Sequence, residues 1–158
     1  MIIRKATQKD AKAIVNLMND LVKHHSSFND VYYDTNELAK NWKTIYLKKV
    51  KTKIRSKKTI VLVAEENGKV VGYVDGSLKP RFLFNKNLTL DIDNISIAEG
   101  YRGKGIGTKL MKAIFKIGKK RKAFCAWLGV RAQNKKGRKF YKKLGFKDSM
   151  INVVKKLR

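Results

Sequence analysis

Residues 88–107 have the sequence LTLDIDNISIAEGYRGKGIG, which joins a strand-like half to a glycine-rich half. In the first half apolar and polar residues alternate, as in a strand with one buried face; the apolar residues are Leu88, Leu90 and Ile92. The alternation then slips by one residue, because Asn94 stands where an apolar residue is due. A slip of one residue turns side chains to the opposite face of a sheet. The pattern therefore predicts a strand over about 88–97 with a β-bulge near residues 93–95.

The glycine-rich half predicts a binding loop for an anion. Three glycines alternate with other residues in Arg102-Gly103-Lys104-Gly105-Ile106-Gly107, between the predicted strand and an apolar helical pattern that starts at Ile106. Glycines let a ligand approach the backbone closely, and a helix N-terminus presents unpaired N–H groups that suit phosphate. The spacing is neither that of the Walker loop nor that of the dinucleotide fingerprint.

Towards the N-terminus, the patterns predict a strand over 2–6 and a helix that starts after a capping box formed by Thr7 and Asp10. A second helix, capped by Asp34 or Thr35, carries an apolar stripe made of Leu38, Trp42, Ile45, Tyr46 and Val50. Two strands follow, over 59–64 and 70–74, and Asn67-Gly68 between them is a hairpin signal.

Towards the C-terminus, residues 124–130 predict a buried strand with Trp127 in the core. A short helix with Phe140, Tyr141 and Leu144 ends at Gly145, and a final strand through Ile151, Val153 and Val154 is expected. The predicted order β-α-α-β-β-β-α-β-α-β is a mixed α/β fold. We expect one domain over 1–158, a twisted mixed sheet flanked by helices, with the bulged strand near its centre.

The charge is unusual, because Lys and Arg outnumber Asp and Glu by 38 to 12, a formal net charge of +26. Such a field attracts anions. Cys125 is the only cysteine, so no internal disulfide can form and a reducing cytoplasm is expected. No signal-peptide pattern is present and no stretch approaches the roughly 18 apolar residues of a membrane span, so no membrane association is expected.

Two motifs resemble the landmarks of GNAT acetyltransferases and occur in the same order along the chain. Arg102-x-x-Gly105-x-Gly107 is similar to the acetyl-CoA pyrophosphate loop of that superfamily, and the preceding strand looks like its bulged fourth strand. Downstream, Asn134-x-x-Gly137-x-x-Phe140-Tyr141-x-x-x-Gly145-Phe146 resembles its second landmark. The motifs span about 88–146, and the order of the elements extends the likeness over nearly the whole chain.

The resemblance implies roles in binding acetyl-CoA, with no metal. Backbone groups of Ile95, Ser96 and Ile97 would pair with the pantetheine arm like an added strand, and an N–H released by the bulge would polarise the thioester carbonyl. Asn134 would bond the cofactor arm, and Tyr141 would lie near the sulfur and protonate the departing thiolate. The pyrophosphate would be held by Arg102, Gly103, Lys104, Gly105, Ile106, Gly107 and Thr108.

The attacking amine must be neutral, so a base or a water path is needed. Asp91 occupies the place where many members of the superfamily carry a carboxylate on the fourth strand, usually Glu, and Asp93 is its neighbour on the same face. Either carboxylate is a candidate base, directly or through water. The alternative is that both only solvate the strand or bind a cationic substrate.

The predicted function is transfer of an acetyl group from acetyl-CoA to a primary amine by direct attack, because no Cys or Ser is placed like an activated nucleophile. The acceptor can be a protein N-terminus, a lysine or a small amine, and the protein a monomer or a homodimer. The basic run 48–58 can contact nucleic acid or an acidic protein. The alternative function is a basic binding module for such partners, on a GNAT scaffold that binds CoA without efficient turnover.

Overall fold

The computed structural model describes residues 1–28, 38–80 and 88–155. These residues form five strands in one sheet and four α-helices. In chain order they are β1 (Ile2–Lys5), α1 (Ala11–Ser26), α2 (Trp42–Arg55), β2 (Thr59–Glu66), β3 (Lys69–Pro80), β4 (Leu88–Ile97), α3 (Ile106–Lys120), β5 (Cys125–Leu128) and α4 (Lys135–Lys143).

The strands lie in chain order across the sheet, from β1 to β5. The first four pair antiparallel, and β5 pairs parallel with β4 because α3 carries the chain back between them. The β2–β3 turn has φ of 49° at Asn67 and 73° at Gly68, the left-handed conformations that a two-residue hairpin requires. The predicted mixed α/β sheet flanked by helices is confirmed.

Two apolar clusters cover the two faces of the sheet. On one face α3 packs against alternate residues of β2, β3 and β4, and Leu110, Met111 and Ile114 are completely buried there. On the other face α1 and α2 pack against the intervening residues, including Val63 and Tyr73. Because both faces are covered, β2 is a continuous apolar run rather than an alternating one.

The N-terminal capping box forms as predicted and extends into an ion-pair network. The Asp10 carboxylate accepts hydrogen bonds from the Thr7 backbone N–H at 2.7 Å and from both terminal nitrogens of Arg4 at 2.8 Å. Arg4 also reaches Glu65 on β2, at 2.7 Å. This network fixes the start of α1 against the edge of the sheet.

The second helix starts later than the apolar stripe predicted. It begins at Trp42, after Asn41, whose backbone carbonyl accepts from Thr44 and Ile45, so Leu38 precedes the helix. The predicted cap at Asp34 or Thr35 lies outside the described residues.

The predicted final strand is wrong. No described strand contains residues 146–155, and Ile151 and Val153 are 88% and 91% exposed. The alternation of apolar residues there reflects local propensity, whereas a strand also needs a neighbour with which to pair. The core position predicted for Trp127 is wrong too, because β5 is an edge strand and this side chain is 40% exposed. Within the described part of the chain, no helix is long and apolar enough to cross a membrane.

Candidate active site

The predicted bulge lies on β4, an interior strand between β3 and the edge strand β5. Asp75 on β3 is opposite Asn94, and Gly76 is opposite Ile92, so Asp93 is the extra residue on β4. Gly76 makes this register possible, because a Cβ at that position would lie 2.5 Å from the Asp91 carbonyl oxygen. The bulge expected near residues 93–95 is therefore confirmed, and it turns Asp93 out of the ladder.

Beyond the bulge, β4 has a free edge. Its pairing with β5 runs only from Thr89 opposite Cys125 to Ile92 opposite Leu128, while its pairing with β3 continues to Ile97. Among the described residues, no strand pairs with the second edge of 93–97. Backbone groups of Ile95, Ser96 and Ile97 on that edge can bind an extended ligand as an added strand would.

The buried Ser96 side chain connects this edge to the opposite layer. Its hydroxyl donates to the backbone carbonyl of Leu17 on α1 at 3.0 Å, and Ser96 is only 6% exposed. The position of α1 and the course of β4 are thus coupled at the point where the free edge begins.

The glycine loop lies at the end of this edge. Gly103 and Gly105 have φ of 77° and 76°, and a Cβ on either would meet nothing within 4 Å, so the space beside them is open. Gly105 directly precedes α3, and no side chain of the described residues caps that helix. The first backbone N–H groups of an α-helix have no partner within the helix, so the loop presents donors suited to phosphate.

The two basic residues of the loop are held by local contacts. Arg102 Nε donates to the Ile97 carbonyl at 3.0 Å, which fixes the loop against the end of β4. Lys104 Nζ lies 5.1 Å from the centroid of the Tyr101 ring, a cation–π contact. Both cations therefore stay close to the open space beside the glycines.

Helix α4 packs against the start of α3. A Cβ on Gly107 would lie 3.3 Å from Phe140 Cζ, so this glycine permits the close approach of the two helices. Asn134 caps α4 through its side-chain oxygen, which accepts from Gly137 N–H at 2.8 Å. Its side-chain nitrogen can still donate to a ligand.

Tyr141 lies on α4 among aromatic rings, with centroids 5.2 Å from Phe140 and 5.8 Å from Phe146. Burial raises the pKa of Tyr141 to about 12, so its phenol keeps its proton at neutral pH. Within the described residues its hydroxyl has no hydrogen-bond partner, and it can therefore donate to a ligand.

Asp91 faces the layer of α1 and α2. Its carboxylate contacts Lys79 Nζ at 2.6 Å and accepts from Thr89 Oγ1 at 3.0 Å. Trp127 on β5 is the register partner of Asp91, so its half-exposed indole lies beside this carboxylate on the same face.

Asp93 belongs to a different ion pair. Lys53 Nζ on α2 lies 2.8 Å from Asp93 Oδ2 and also contacts the Asp75 carboxylate. Asn94 Nδ2 donates to the other Asp75 oxygen at 2.9 Å. Lys53 therefore joins the carboxylate at the bulge to a carboxylate that is only 3% exposed, while Asp91 remains paired with Lys79.

The environment shifts the pKa values of both partners in the buried contact between Lys53 and Asp75. Burial raises the pKa of Asp75 above that of an exposed aspartate and outweighs the opposing charge of Lys53. Burial alone would lower the pKa of Lys53, but the charges and hydrogen bonds of Asp75 and Asp93 outweigh it and raise that pKa. Nearby, burial and then the charge of Asp75 raise the pKa of Tyr46 to about 12.

Sequence reasoning missed Lys53 and Asp75. Lys53 is one of many cations in the run 48–58, and nothing in its spacing separates it from its neighbours. Asp75 had a signal, because it is an acidic residue that directly follows the apolar run Val70-Val71-Gly72-Tyr73-Val74. The glycine loop follows the free edge of β4 in the chain, Tyr141 packs against the cluster under α3, and the carboxylates of Asp91 and Asp93 lie on the opposite face of the sheet. No group of three or more potential metal ligands occurs in the described ranges.

Comparison with known proteins identifies relatives of this chain. The model of the acetyltransferase (GNAT) family matches residues 19–146. An uncharacterized N-acetyltransferase of Methanocaldococcus jannaschii is 30% identical over 94% of this chain and 62% of its own length. An N-alpha-acetyltransferase of Sulfurisphaera tokodaii is 39% identical over 56% of this chain and 57% of its own. The chain thus spans less than two thirds of either relative.

Solved structures with the same fold cover nearly the whole chain. A tetramutant of a Bacillus halodurans protein superimposes with a TM-score of 0.85 at 25% identity, over 99% of this chain and 100% of that one. An aminoglycoside N-acetyltransferase in complex with CoA superimposes with a TM-score of 0.77 at 14% identity, over 99% and 94%. At that identity the second likeness shows the fold alone.

Proposed function

The chain belongs to the acetyltransferase (GNAT) family, and from this we propose that it transfers an acetyl group from acetyl-CoA to a primary amine. The observation that carries the proposal is the free edge of β4. This edge starts at the bulge, runs over residues 93–97 and leads into a glycine loop at an uncapped helix N-terminus. One extended ligand with a phosphate group matches this succession of donors.

Acetyl-CoA would bind along this path. Backbone groups of Ile95, Ser96 and Ile97 would hold the pantetheine arm, and the free amide nitrogen of Asn134 would bond it from α4. The N–H groups of residues 103–108 would hold the pyrophosphate, with Arg102 and Lys104 adding positive charge. In support, the loop is open, and the cations that flank it are held in place by Ile97 and Tyr101.

The acetyl carbon would lie at the bulge, where the amine attacks the thioester directly. Asp93 is turned out of the ladder there, and we assign to it or to Asp91, directly or through water, the removal of the amine's proton. Asp93 is the better placed, because it protrudes at the bulge and its side chain is 34% exposed. Tyr141, which keeps its proton at neutral pH, would donate to the departing thiolate from the opposite layer.

The acceptor would approach from the side of α1 and α2, where Asp91, Asp93 and the indole of Trp127 lie. Carboxylates beside an exposed aromatic ring favour a cationic amine over a neutral one. The Sulfurisphaera relative is named for acetylation of α-amino groups, which makes a protein N-terminus the first acceptor to test, ahead of lysine side chains and small amines.

A second candidate function is binding of a polyanion on this scaffold. No Asp or Glu occurs between Glu99 and Asp148, although this stretch contains α3, α4 and many lysines. The stretch is therefore strongly cationic, although Asp148 pairs with Arg138 and Lys142 of α4, and such a charge suits nucleic acid or an acidic protein. This charge is compatible with an enzyme, and turnover distinguishes the two functions.

The test is release of free CoA from acetyl-CoA across a panel of peptides with free N-termini, lysine peptides and small amines. We expect amine-dependent release above the hydrolytic background with at least one class. A Gly105→Asp variant is the matched control and should release CoA no faster than the background. Tight binding of acetyl-CoA with no amine-dependent release from any acceptor would favour the binding module.

A further inference from the structure

Lys53 differs from every other cation of the basic run. Its side chain is 17% exposed and points towards the sheet, whereas Lys48, Lys49, Lys51, Lys57 and Lys58 are exposed. The carboxylates of Asp75 and Asp93 hold its amine from β3 and β4. The chain thus places one of its own primary amines against a carboxylate at the bulge.

We propose that Lys53 is a site of self-acetylation, at which the protein transfers the acetyl group of bound acetyl-CoA to its own side chain. This inference rests on the proposed function, because it uses the same cofactor site. It identifies one acceptor as a residue of this chain, in addition to any acceptor from solution, and α2 as the element that presents it.

Proximity is the physical reason. Lys53 Nζ lies 2.8 Å from Asp93 Oδ2, and Asp93 is the residue that the bulge turns out of β4. An acceptor from solution has to be captured and oriented, whereas this amine is already held beside the reacting position. Pre-oriented groups in one molecule react as if present at very high concentration. The four-carbon stem of lysine allows the amine to leave the ion pair and reach the thioester.

The protons have defined destinations. The Lys53 ammonium gives one proton to the Asp75 carboxylate, and the free amine attacks the thioester carbonyl carbon. An N–C bond forms, the C–S bond breaks, and the second proton of the nitrogen reaches the CoA sulfur. The products are an acetyl-lysine amide, a neutral Asp75 carboxylic acid and CoA with a free thiol, so atoms and charge balance.

The product state suits a buried position. A charged Asp75 without a cationic partner would be costly at 3% exposure, but the protonated acid and the amide are both neutral. Burial raises the pKa of Asp75, which favours its role as the proton acceptor, whereas the raised pKa of Lys53 works against the transfer. Acetylation also releases Asp93 from its ion pair, so a modified chain would present a changed carboxylate to acceptors from solution.

The experiment is incubation of the full chain with acetyl-CoA and no added amine, followed by intact-mass measurement and peptide mapping. We expect one acetyl group per chain, at Lys53, with a half-time that does not change over a tenfold dilution of the protein. Lys53→Arg keeps the positive charge and should not be labelled there. Lys51→Arg, an exposed lysine of the same helix, is the matched control and should be labelled like the wild type.

Two further variants separate enzymatic from chemical labelling. Gly105→Asp should abolish labelling of Lys53, and Asp75→Asn should slow it at least tenfold. Labelling spread over the exposed lysines and unchanged in Gly105→Asp would be chemical acetylation and would overturn the proposal, as would a half-time that lengthens on dilution. An unlabelled Lys53 in a protein that releases CoA with added amines would overturn this inference alone. No label and no CoA release with any amine would refute the proposed function as well.

Discussion

Gly105 provides the sharpest test of the cofactor loop, through the pair of substitutions Gly105→Asp and Gly105→Asn. Gly105 has φ of 76° and directly precedes α3, and a Cβ there would meet nothing within 4 Å. The new side chain would therefore extend into the space assigned to the pyrophosphate without a clash in the free protein. Asn and Asp have nearly the same shape and both tolerate a left-handed conformation, so the backbone cost is common to both variants.

The difference between the two variants is one negative charge. At about 5 Å from a phosphate charge, with an effective dielectric constant of about 20 to 40, repulsion costs about 1.7 to 3.3 kcal/mol. We therefore expect Gly105→Asp to bind acetyl-CoA roughly 15- to 250-fold more weakly than Gly105→Asn, since about 1.4 kcal/mol corresponds to tenfold in affinity. Salt should narrow the gap, because exposed charges are screened.

The assay is isothermal titration calorimetry with acetyl-CoA at two salt concentrations, and thermal unfolding of each variant serves as the control for folding. Equal affinities of the two folded variants would mean that no phosphate lies near Gly105. That result would refute the assignment of the loop to the pyrophosphate, whatever activity the protein has.

Three further predictions concern the proton donor, the N-terminal network and the basic run. Tyr141→Phe should leave the Kd for acetyl-CoA nearly unchanged and lower kcat on the best acceptor about a hundredfold or more, because it removes a proton donor. A kcat within twofold of wild type would mean that Tyr141 contributes only to packing. Hydrogen bonds from Arg4 lower the pKa of Asp10 from 3.8 to about 2. Asp10 should therefore contribute about 2 kcal/mol to the free energy of unfolding at pH values above its unfolded-state pKa. Chemical denaturation against pH should show that contribution in wild type disappearing as the pH falls from about 4 to about 2, and a midpoint in Asp10→Asn equal to wild type at pH 7 would contradict it. Charge reversal to Glu at three exposed lysines of the basic run, Lys48, Lys49 and Lys51, should weaken the salt dependence of nucleic-acid binding in gel-shift titrations and leave the affinity for acetyl-CoA unchanged. Indistinguishable titration curves for wild type and variant would mean that the run is only a solvated surface.

Much of the fold could be predicted because its signals are local. The slip of alternation around Asn94 located the bulge to within two residues, and Asn67-Gly68 located the hairpin, because each depends on the conformations of adjacent residues. The glycine loop was predicted for the same reason. The prediction failed where an apolar pattern had no partner, as at Ile151 and Val153, and where a strand lay at an edge, as at Trp127.

The local elements of this edge follow from the sequence alone: a bulged strand, a glycine loop at a helix start, and a tyrosine on the next helix. These depend on neighbours in the chain, and motif order and spacing preserve them. Which charges meet, in contrast, depends on the tertiary structure. Lys53 and Asp75 are far apart in sequence, and they touch because α2 crosses the face of the sheet at the bulge. Ionic contacts between distant elements depend on how helices pack on a sheet, and eleven neighbouring residues rich in lysine cannot indicate which of their amines is buried.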